Sequence, residues 1–343
     1  MSVSSERAVT VIIVTYRTAA LTIACLNSLV AERATPGISL RAVVVDNASG
    51  DAPSIGAAID RQGWGSWVKL VEAPRNGGFA YGNNLGVAHA CAERPPDYFH
   101  MLNPDTVVRP GAIRFLVEFL EGHPDVGIAG SSFESADGSG WPIAFRFPSL
   151  LSELETGLKL GIVSRVLKPW AVARIMGSEA QQIDWGAGAS MMVRRALLDR
   201  IGGLDESYFL FFEETEFCWR AKRAGYSMWY VPKSRVMHIA GQSTKLDERN
   251  AALKRLPAYW FESRRRYFMT TRGFVGALFI DLTAIFANAL GSFRLILQGR
   301  RDRVVPHYVA DLWRHSVVHR RNRVLDPIRT QLHQLDVNVA QQQ

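Results

Sequence analysis

Two adjacent carboxylates, Glu213 and Glu214, follow the aromatic run Tyr208 to Phe212 and open a stretch with helical spacing. Apolar walls raise a carboxylate's pKa toward the working pH, which suits a general base; acidic residues at a helix start also complement its dipole. Asp105 closes Asn103-Pro104-Asp105 after an apolar run. A carboxylate there can hold Mg²⁺ or Mn²⁺ together with substrate phosphates, although Asn-Pro-Asp taken alone favours a plain turn. Asp46 ends the run Ala42 to Val45, where an α/β sheet places a ligand-contacting carboxylate, and fits a loop turn over residues 46–51 as well. Thr15 and Tyr16 end the neighbouring run and could share its crevice. Asn76-Gly77-Gly78 precedes a helix, which lets backbone approach a phosphate or sugar closely; the pattern is neither GxGxxG nor a Walker loop. His238 follows another apolar run, and a lone histidine is more often structural than a ligand.

These residues need elements that end together. Val9 to Val14 and Ala42 to Val45 are continuous β-branched runs, the mark of parallel strands buried on both faces. A helix is predicted between them over residues 19–31, giving a βαβ unit. Strands over 68–72 and 98–102 and helices over 80–91 and 110–121 extend the alternation, with Pro110 suited to a first helical turn. Ordered structure is expected to resume at 185–194, and a short helix up to Ile201, a helix over 213–224 and a strand over 228–231 follow. The fold class is therefore α/β, a mostly parallel sheet flanked by helices, with ligands at the strand ends. Residues 131–182 show no clear period and are expected to be an insertion that shapes a pocket.

The 343 residues are 48% hydrophobic and 21% charged, which excludes disorder across the chain. Cys25, Cys91 and Cys218 lie far apart, without zinc-site spacing, and suit a reducing compartment. The first apolar run is too short for a membrane span and lacks a basic segment before it, so no signal peptide is expected. Charge is segregated: Lys254 to Arg329 holds 15 Lys and Arg against 5 Asp and Glu, whereas residues 1–253 hold 25 against 26. A neutral body thus precedes a basic segment.

The blocks TYRT, VVVDNAS, NGGFAYGNN, LNPDT, WGAGASMMVRR, GGLDESYFLFFEETEFCWR and HIAGQST, in this order over residues 8–245, resemble family 2 glycosyltransferases of the GT-A fold, especially their rhamnosyltransferase-like branch. The resemblance implies inverting transfer of a sugar, rhamnose favoured, from a dTDP- or UDP-sugar in cell-surface polysaccharide synthesis. It gives Thr15, Tyr16 and Asp46 to the nucleotide, with Asn76, Gly77, Gly78 and Asn103 on the donor side. It gives Asp105 and His238 to Mg²⁺ or Mn²⁺. The family's Glu-Asp pair falls on Glu213-Glu214, which makes Glu214 the base with Glu213 beside it, and Trp185, Gly186 and Gly188 line the acceptor site. Two other classes compete. A sugar-phosphate nucleotidylyltransferase would need a glycine-rich basic loop after the first strand, and VIIVTYRTAALT has no glycine. A non-enzymatic nucleotide- or nucleic-acid-binding protein would be supported by the basic segment alone, and no nucleic-acid partner is expected.

Residues 1–253 are read as the catalytic domain and 254–343 as a helical extension. Within it, Val275, Leu278, Phe279, Leu282, Phe286, Leu290, Phe293 and Leu297 recur at helical spacing, with Asp281, Asn288 and Ser292 on another face. Such a basic amphipathic helix fits an anchor on the inner face of the cytoplasmic membrane, near a polyprenyl-linked saccharide acceptor. Packing against its own domain, or in a homo-oligomer interface, competes with that reading.

Overall fold

The computed structural model describes residues 6–135, 137–141, 143–239 and 253–319, so the part of the HIAGQST block after Ile239 and the basic residues after His319 lie outside it. β1 (Arg7–Thr15) and β2 (Ile38–Asp46) are the two β-branched runs, joined by α1 (Ala19–Leu29). α2 (Ala52–Gln62) leads to β3 (Val68–Glu72), and α3 (Gly78–Glu93) returns the chain to β4 (Tyr98–Leu102). β5 (Thr106–Val108), α4 (Ala112–Gly122) and β6 (Val126–Glu134) follow. Smaller pieces come next: β7 (Gly140–Trp141), β8 (Ile143–Phe145), α5 (Leu150–Leu158), α6 (Gly161–Val166), β9 (Ala173–Ile175) and β10 (Gln181–Ile183). β11 (Ser190–Arg194), α7 (Arg195–Ile201), α8 (Glu213–Arg223) and β12 (Ser227–His238) complete the body, and α9 (Ala258–Leu297) and α10 (Tyr308–His315) lie beyond it.

The main sheet has the order β10-β12-β6-β11-β4-β1-β2-β3. β4, β1, β2 and β3 are mutually parallel, and β12 is parallel to β6. β11 runs antiparallel to both β4 and β6, so β6 and β12 point the same way as β1. One edge of the sheet therefore gathers the carboxyl ends of β1, β2, β4, β6 and β12 with the start of β11. A buried polar chain crosses four of these strands. His100 Nε2 lies 2.9 Å from Ser190 Oγ, Ser190 Oγ lies 2.7 Å from Ser131 Oγ, and Ser131 Oγ lies 2.8 Å from Ser234 Oγ. Burial pushes the His100 imidazole down to about 3, so it is neutral. A one-residue slip of any strand would break the chain, which helps to fix the register.

The stretch 131–182 corrects the sequence expectation. Its first residues belong to β6 in the central sheet, and α5 packs not over a pocket but against α9. The contact is made by small residues: a Cβ on Gly291 would fall 2.1 Å from the Gly157 carbonyl oxygen, and one on Gly157 would fall 2.6 Å from the Ala287 Cβ.

By length and composition α9 could cross a membrane, but it is not one rod. Gly273 has φ +68 and ψ 179, outside helical geometry. In a straight helix Arg264 and Asp281 would be about 25 Å apart at 1.5 Å per residue; here Arg264 Nη1 donates to Asp281 Oδ1 at 2.5 Å. Phe268 shares a buried cluster with Ala277, and Phe261 with Ala284. The two arms, 258–272 and 274–297, therefore fold back on each other as an antiparallel hairpin. Arg264 Nη2 also donates to Glu153 Oε2 at 3.0 Å, and Asp281 Oδ2 accepts from the Val317 N–H at 2.9 Å. α5, both arms and the chain after α10 thus meet at one buried ion network.

The hairpin also inverts the usual orientation of an amphipathic helix. Asp281 and Asn288 are buried, whereas Phe279, Phe286, Phe293 and Leu297 are 57%, 66%, 60% and 71% exposed. The polar face looks inward because its partner there is Arg264, and the apolar face looks out.

Removing one partner of a buried ion pair leaves an uncompensated charge. Asp281→Ala should therefore lower unfolding stability by roughly 3–5 kcal/mol, measured by urea denaturation, whereas replacing the whole network, Arg264→Met with Asp281→Leu and Glu153→Gln, should recover most of that loss.

Candidate active site

A cleft of about 500 Å³ opens at the edge where the strand ends gather. Its wall includes Tyr16, Asn47, Asn76, Gly78, Asn103, Asp105, Gly188, Glu213, Glu214 and His238. Residues more than 200 positions apart in sequence are brought to one wall by the sheet order.

Asp105 and His238 meet through strand pairing. β5 and β12 are antiparallel with Thr106 opposite His238, and the Ile239 N–H donates to the Asp105 carbonyl at 3.1 Å. Asp105 Oδ1 then lies 3.3 Å from His238 Nε2. The imidazole is set between Phe133 and Trp141, with ring centroids 5.5 and 5.6 Å away, and its Nδ1 is buried with no hydrogen-bond partner. Among the described residues no three His, Cys, Asp or Glu side chains converge as a metal site. One carboxylate oxygen and one imidazole nitrogen still suit a divalent cation that takes its other ligands from diphosphate and water.

Glu213 and Glu214 open α8 directly after Phe211 and Phe212, whose φ values of 70 and 68 are left-handed. Such values are rare for bulky residues and need surroundings that hold them. Those surroundings are α3 on one side and the first arm of α9 on the other. From α3, the Phe79 N–H donates to the Phe209 carbonyl at 3.0 Å. Asn84 pairs with Leu204 like a strand neighbour, donating to its carbonyl at 2.8 Å and accepting its N–H at 3.0 Å. From α9, Arg266 Nη2 reaches the buried Asp205 at 2.9 Å, and Ser263 Oγ donates to the Leu210 carbonyl at 3.0 Å. Gly78 shows the tightness of this fit: its φ is +86, and a Cβ there would sit 1.9 Å from the Phe209 oxygen. In this structure the glycine serves the loop that carries the carboxylates.

Both carboxyl groups are raised above the ordinary carboxylate range, first by desolvation. For Glu213 the neighbouring Glu214 charge adds to this, whereas an N–H from Gly188 bonds Glu214 and opposes its shift. A helix N-terminus favours charge by at most about 2 kcal/mol, and burial outweighs it here. The Oε2 atoms of both residues are buried without a hydrogen-bond partner. Of the two, Glu213 is raised further, because the Glu214 charge adds to its desolvation, so Glu214 is the carboxyl of the pair that ionises more easily and could take a proton from a hydroxyl in the cleft.

Other expected residues lie behind or away from the wall. Thr15 is buried and bonded to Thr18 and Thr22. Asp46 accepts from Ser49 with one oxygen and from the Ala52 N–H with the other, so its carboxylate builds the turn into α2. Gly77 packs on the Tyr81 ring and donates to Asn47. Trp185 stacks on Phe145 at 4.3 Å and donates to the Arg146 carbonyl, and Gly186 packs on Met228; neither is on the cleft wall, because the bridge between residues 145 and 185 turns them aside. Asn47, Phe79 and Tyr259 are wall residues that type and spacing did not mark. Asn47 follows Asp46 directly and could have been found from that; Tyr259 comes from α9 and had no local signal.

Comparison with known proteins agrees with this geometry. The chain is 30% identical over 197 residues to the N-acetylglucosaminyl-diphospho-decaprenol L-rhamnosyltransferase of Mycobacterium tuberculosis, covering 52% of this chain and 61% of that protein. It is 26% identical over 166 residues to the rhamnosyltransferase WbbL of Escherichia coli, covering 48% of this chain and 61% of that one. The chain thus matches less than two thirds of either relative's length. Among solved structures, the mannosyltransferase PcManGT of Pyrobaculum calidifontis, in complex with GDP-Man and Mn²⁺, aligns with a TM-score of 0.54 at 16% identity, over 91% of this chain and 86% of that one. GalNAc-T7 with UDP, GalNAc and Mn²⁺ aligns with a TM-score of 0.58 at 15% identity, over 87% and 54%. These likenesses, with the strand order, establish the GT-A fold. The model of "Glycosyltransferase like family 2" matches residues 6–256, the body up to the residues just before the hairpin, and the chain belongs to that family.

Proposed function

We propose that the protein transfers a sugar, with rhamnose favoured, from a dTDP- or UDP-sugar to a lipid-linked saccharide with inversion at the anomeric carbon. The observation that carries this reading is the junction, on one cleft, of a raised carboxylate pair with a carboxylate–imidazole pair. The relatives' names, rhamnosyltransferases with one acting on a diphospho-decaprenol saccharide, supply the favoured donor and acceptor classes. Both neighbouring structures hold Mn²⁺, and Asp105 and His238 are the residues that would hold Mn²⁺ or Mg²⁺ here. When bound, the cation neutralises charge on the departing diphosphate.

Tyr16, Asn47, Asn76 and Asn103 offer ring and amide contacts to the nucleotide sugar. Glu214 accepts the proton of the acceptor hydroxyl, and the oxygen forms its bond to the anomeric carbon as the carbon–oxygen bond to the diphosphate breaks. One displacement inverts the centre, in contrast with the two displacements and acid catalyst of a retaining hydrolase. Glu213, carrying the proton of the pair, spares Glu214 a charged neighbour.

Glu214→Gln should keep nucleotide binding, measured calorimetrically, and lower turnover by about 10²- to 10⁴-fold. Turnover in the parent should fall as pH drops through the raised Glu214 value, because the base must be ionised. Glu213→Gln should be milder; a more severe loss with unchanged donor affinity would exchange the two roles. Asp105→Ala and His238→Ala should each remove the metal-dependent part of nucleotide diphosphate binding.

The hairpin supports a place on the inner face of the cytoplasmic membrane. Its second arm exposes Val275, Phe279, Leu282, Phe286, Leu290, Phe293 and Leu297 along about 33 Å, bounded by exposed Arg272 at one end and Arg300, Arg301 and Arg303 at the other. An arm with one face packed on the body lies along a bilayer rather than through it. α6 adds exposed Ile162 and Val166, beside exposed Arg165 and Lys168. Binding to vesicles should rise with anionic lipid, fall with salt, and drop when Phe279, Phe286 and Phe293 are changed to Ser; folded protein that ignores anionic vesicles would assign the stripe to a second copy.

A further inference from the structure

Three aromatic side chains on the cleft wall are not used by the chemistry above. Phe209 and Phe211 come from the loop before α8, and Tyr259 comes from the first turn of α9. The Tyr259 ring lies 5.4 Å from Phe209 and, nearly parallel at 18°, 6.1 Å from Phe211. Phe209 is 40% exposed. The left-handed backbone at Phe211 and Phe212 divides the run: Phe212 turns inward against Trp260 and Tyr267, at 5.9 and 5.5 Å, while Phe211 stays on the wall. A rare conformation held by the surroundings thus keeps an aromatic ring on the cleft wall immediately before the carboxylate pair.

From this geometry, and resting on the glycosyltransferase reading, we infer that Phe209, Phe211 and Tyr259 form a shelf for the apolar face of the acceptor's pyranose ring. A pyranose presents polarised C–H groups on one face and hydroxyls at its rim. The negative face of an aromatic ring attracts the former, and the rim hydroxyl then reaches Glu214. The group beside Glu214 must carry the hydroxyl that gives up its proton, so the occupant is the saccharide and not its lipid, whose apolar partner is the stripe on the other arm. The polar wall residues Asn47, Asn103, Asp105 and His238 come from the ends of strands, Asn76 comes from the loop before α3, and none of them belongs to the shelf. The hairpin accordingly completes the acceptor subsite through Tyr259, besides holding the loop.

The test uses the full chain and two probes: a synthetic N-acetylglucosaminyl diphosphate with a short or a long alkyl chain, and dTDP with Mn²⁺. Calorimetry and ligand-detected NMR give the affinities, and circular dichroism confirms folding. Phe209→Ala and Tyr259→Ala should each weaken the saccharide by about 10-fold, equally for both chain lengths, with dTDP affinity unchanged. Tyr259→Phe, which keeps the ring, should retain saccharide affinity. Unchanged saccharide affinity in folded Ala variants, or no saccharide binding by the parent, would overturn the shelf. A loss that appears for dTDP instead would make it a platform for the base, and a loss that grows with chain length would make it a lipid contact; either result also overturns it. Diphosphate release from a panel of nucleotide sugars separates the two ideas: release with unaltered saccharide affinity sinks the shelf alone, and shelf-dependent binding without release sinks the glycosyltransferase reading alone.

Discussion

Two carboxyl groups side by side in a dry wall cannot both ionise cheaply, and the rest of the structure depends on holding them there. Glu213 and Glu214 are the first two residues of α8, and the chain enters that helix through an abnormal turn that sets where it begins. Left-handed Phe211 and Phe212 provide that turn. They persist because the loop from Gly203 to Phe212 is clamped by Phe79 and Asn84 of α3 and by Ser263 and Arg266 of α9. Strain at the site is thus balanced by ordinary hydrogen bonds elsewhere.

This explains why the C-terminal hairpin is more than an appendage. Its first arm closes the cleft with Tyr259 and braces the loop, and its second arm packs on α5 through Gly157, Ala287 and Gly291. The buried Arg264–Asp281–Glu153 network joins the two arms to the body. A buried ion network of this kind contributes little net stability compared with an apolar replacement. It does, however, dictate which face of the second arm turns inward. That choice leaves the phenylalanine stripe outside, while the same hairpin lines the cleft through Tyr259.

On the opposite flank the site depends on topology. β11, reversed between β4 and β6, lets β6 and β12 run parallel to β1, so that His238 arrives at the edge where Asp105 already stands. Gly188, just ahead of β11, places its N–H on Glu214. A single reversed strand thus links the Asp105–His238 pair to the carboxylate pair.

Much of this was written locally in the chain. Continuous β-branched runs determined β1 and β2, because a strand covered by helices on both faces can carry no polar face. Type and order of the polar blocks marked most of the polar wall of the cleft: Tyr16, Asn76, Asn103, Asp105, Glu213, Glu214 and His238 all reach it, as do Gly78 and Gly188. Other facts had no local signal. The bonds by which Asp46 builds the turn into α2, to Ser49 and to Ala52, are not legible in its residue type and position alone. Asp281 and Asn288 have a polar periodicity that normally faces water, and only the arrival of Arg264 from the other arm turned that face inward. Tyr259 reaches the cleft because the hairpin docks on the loop before α8. Periodicity determines that a helix has two faces; which face is buried is decided by the partner that tertiary packing brings to it.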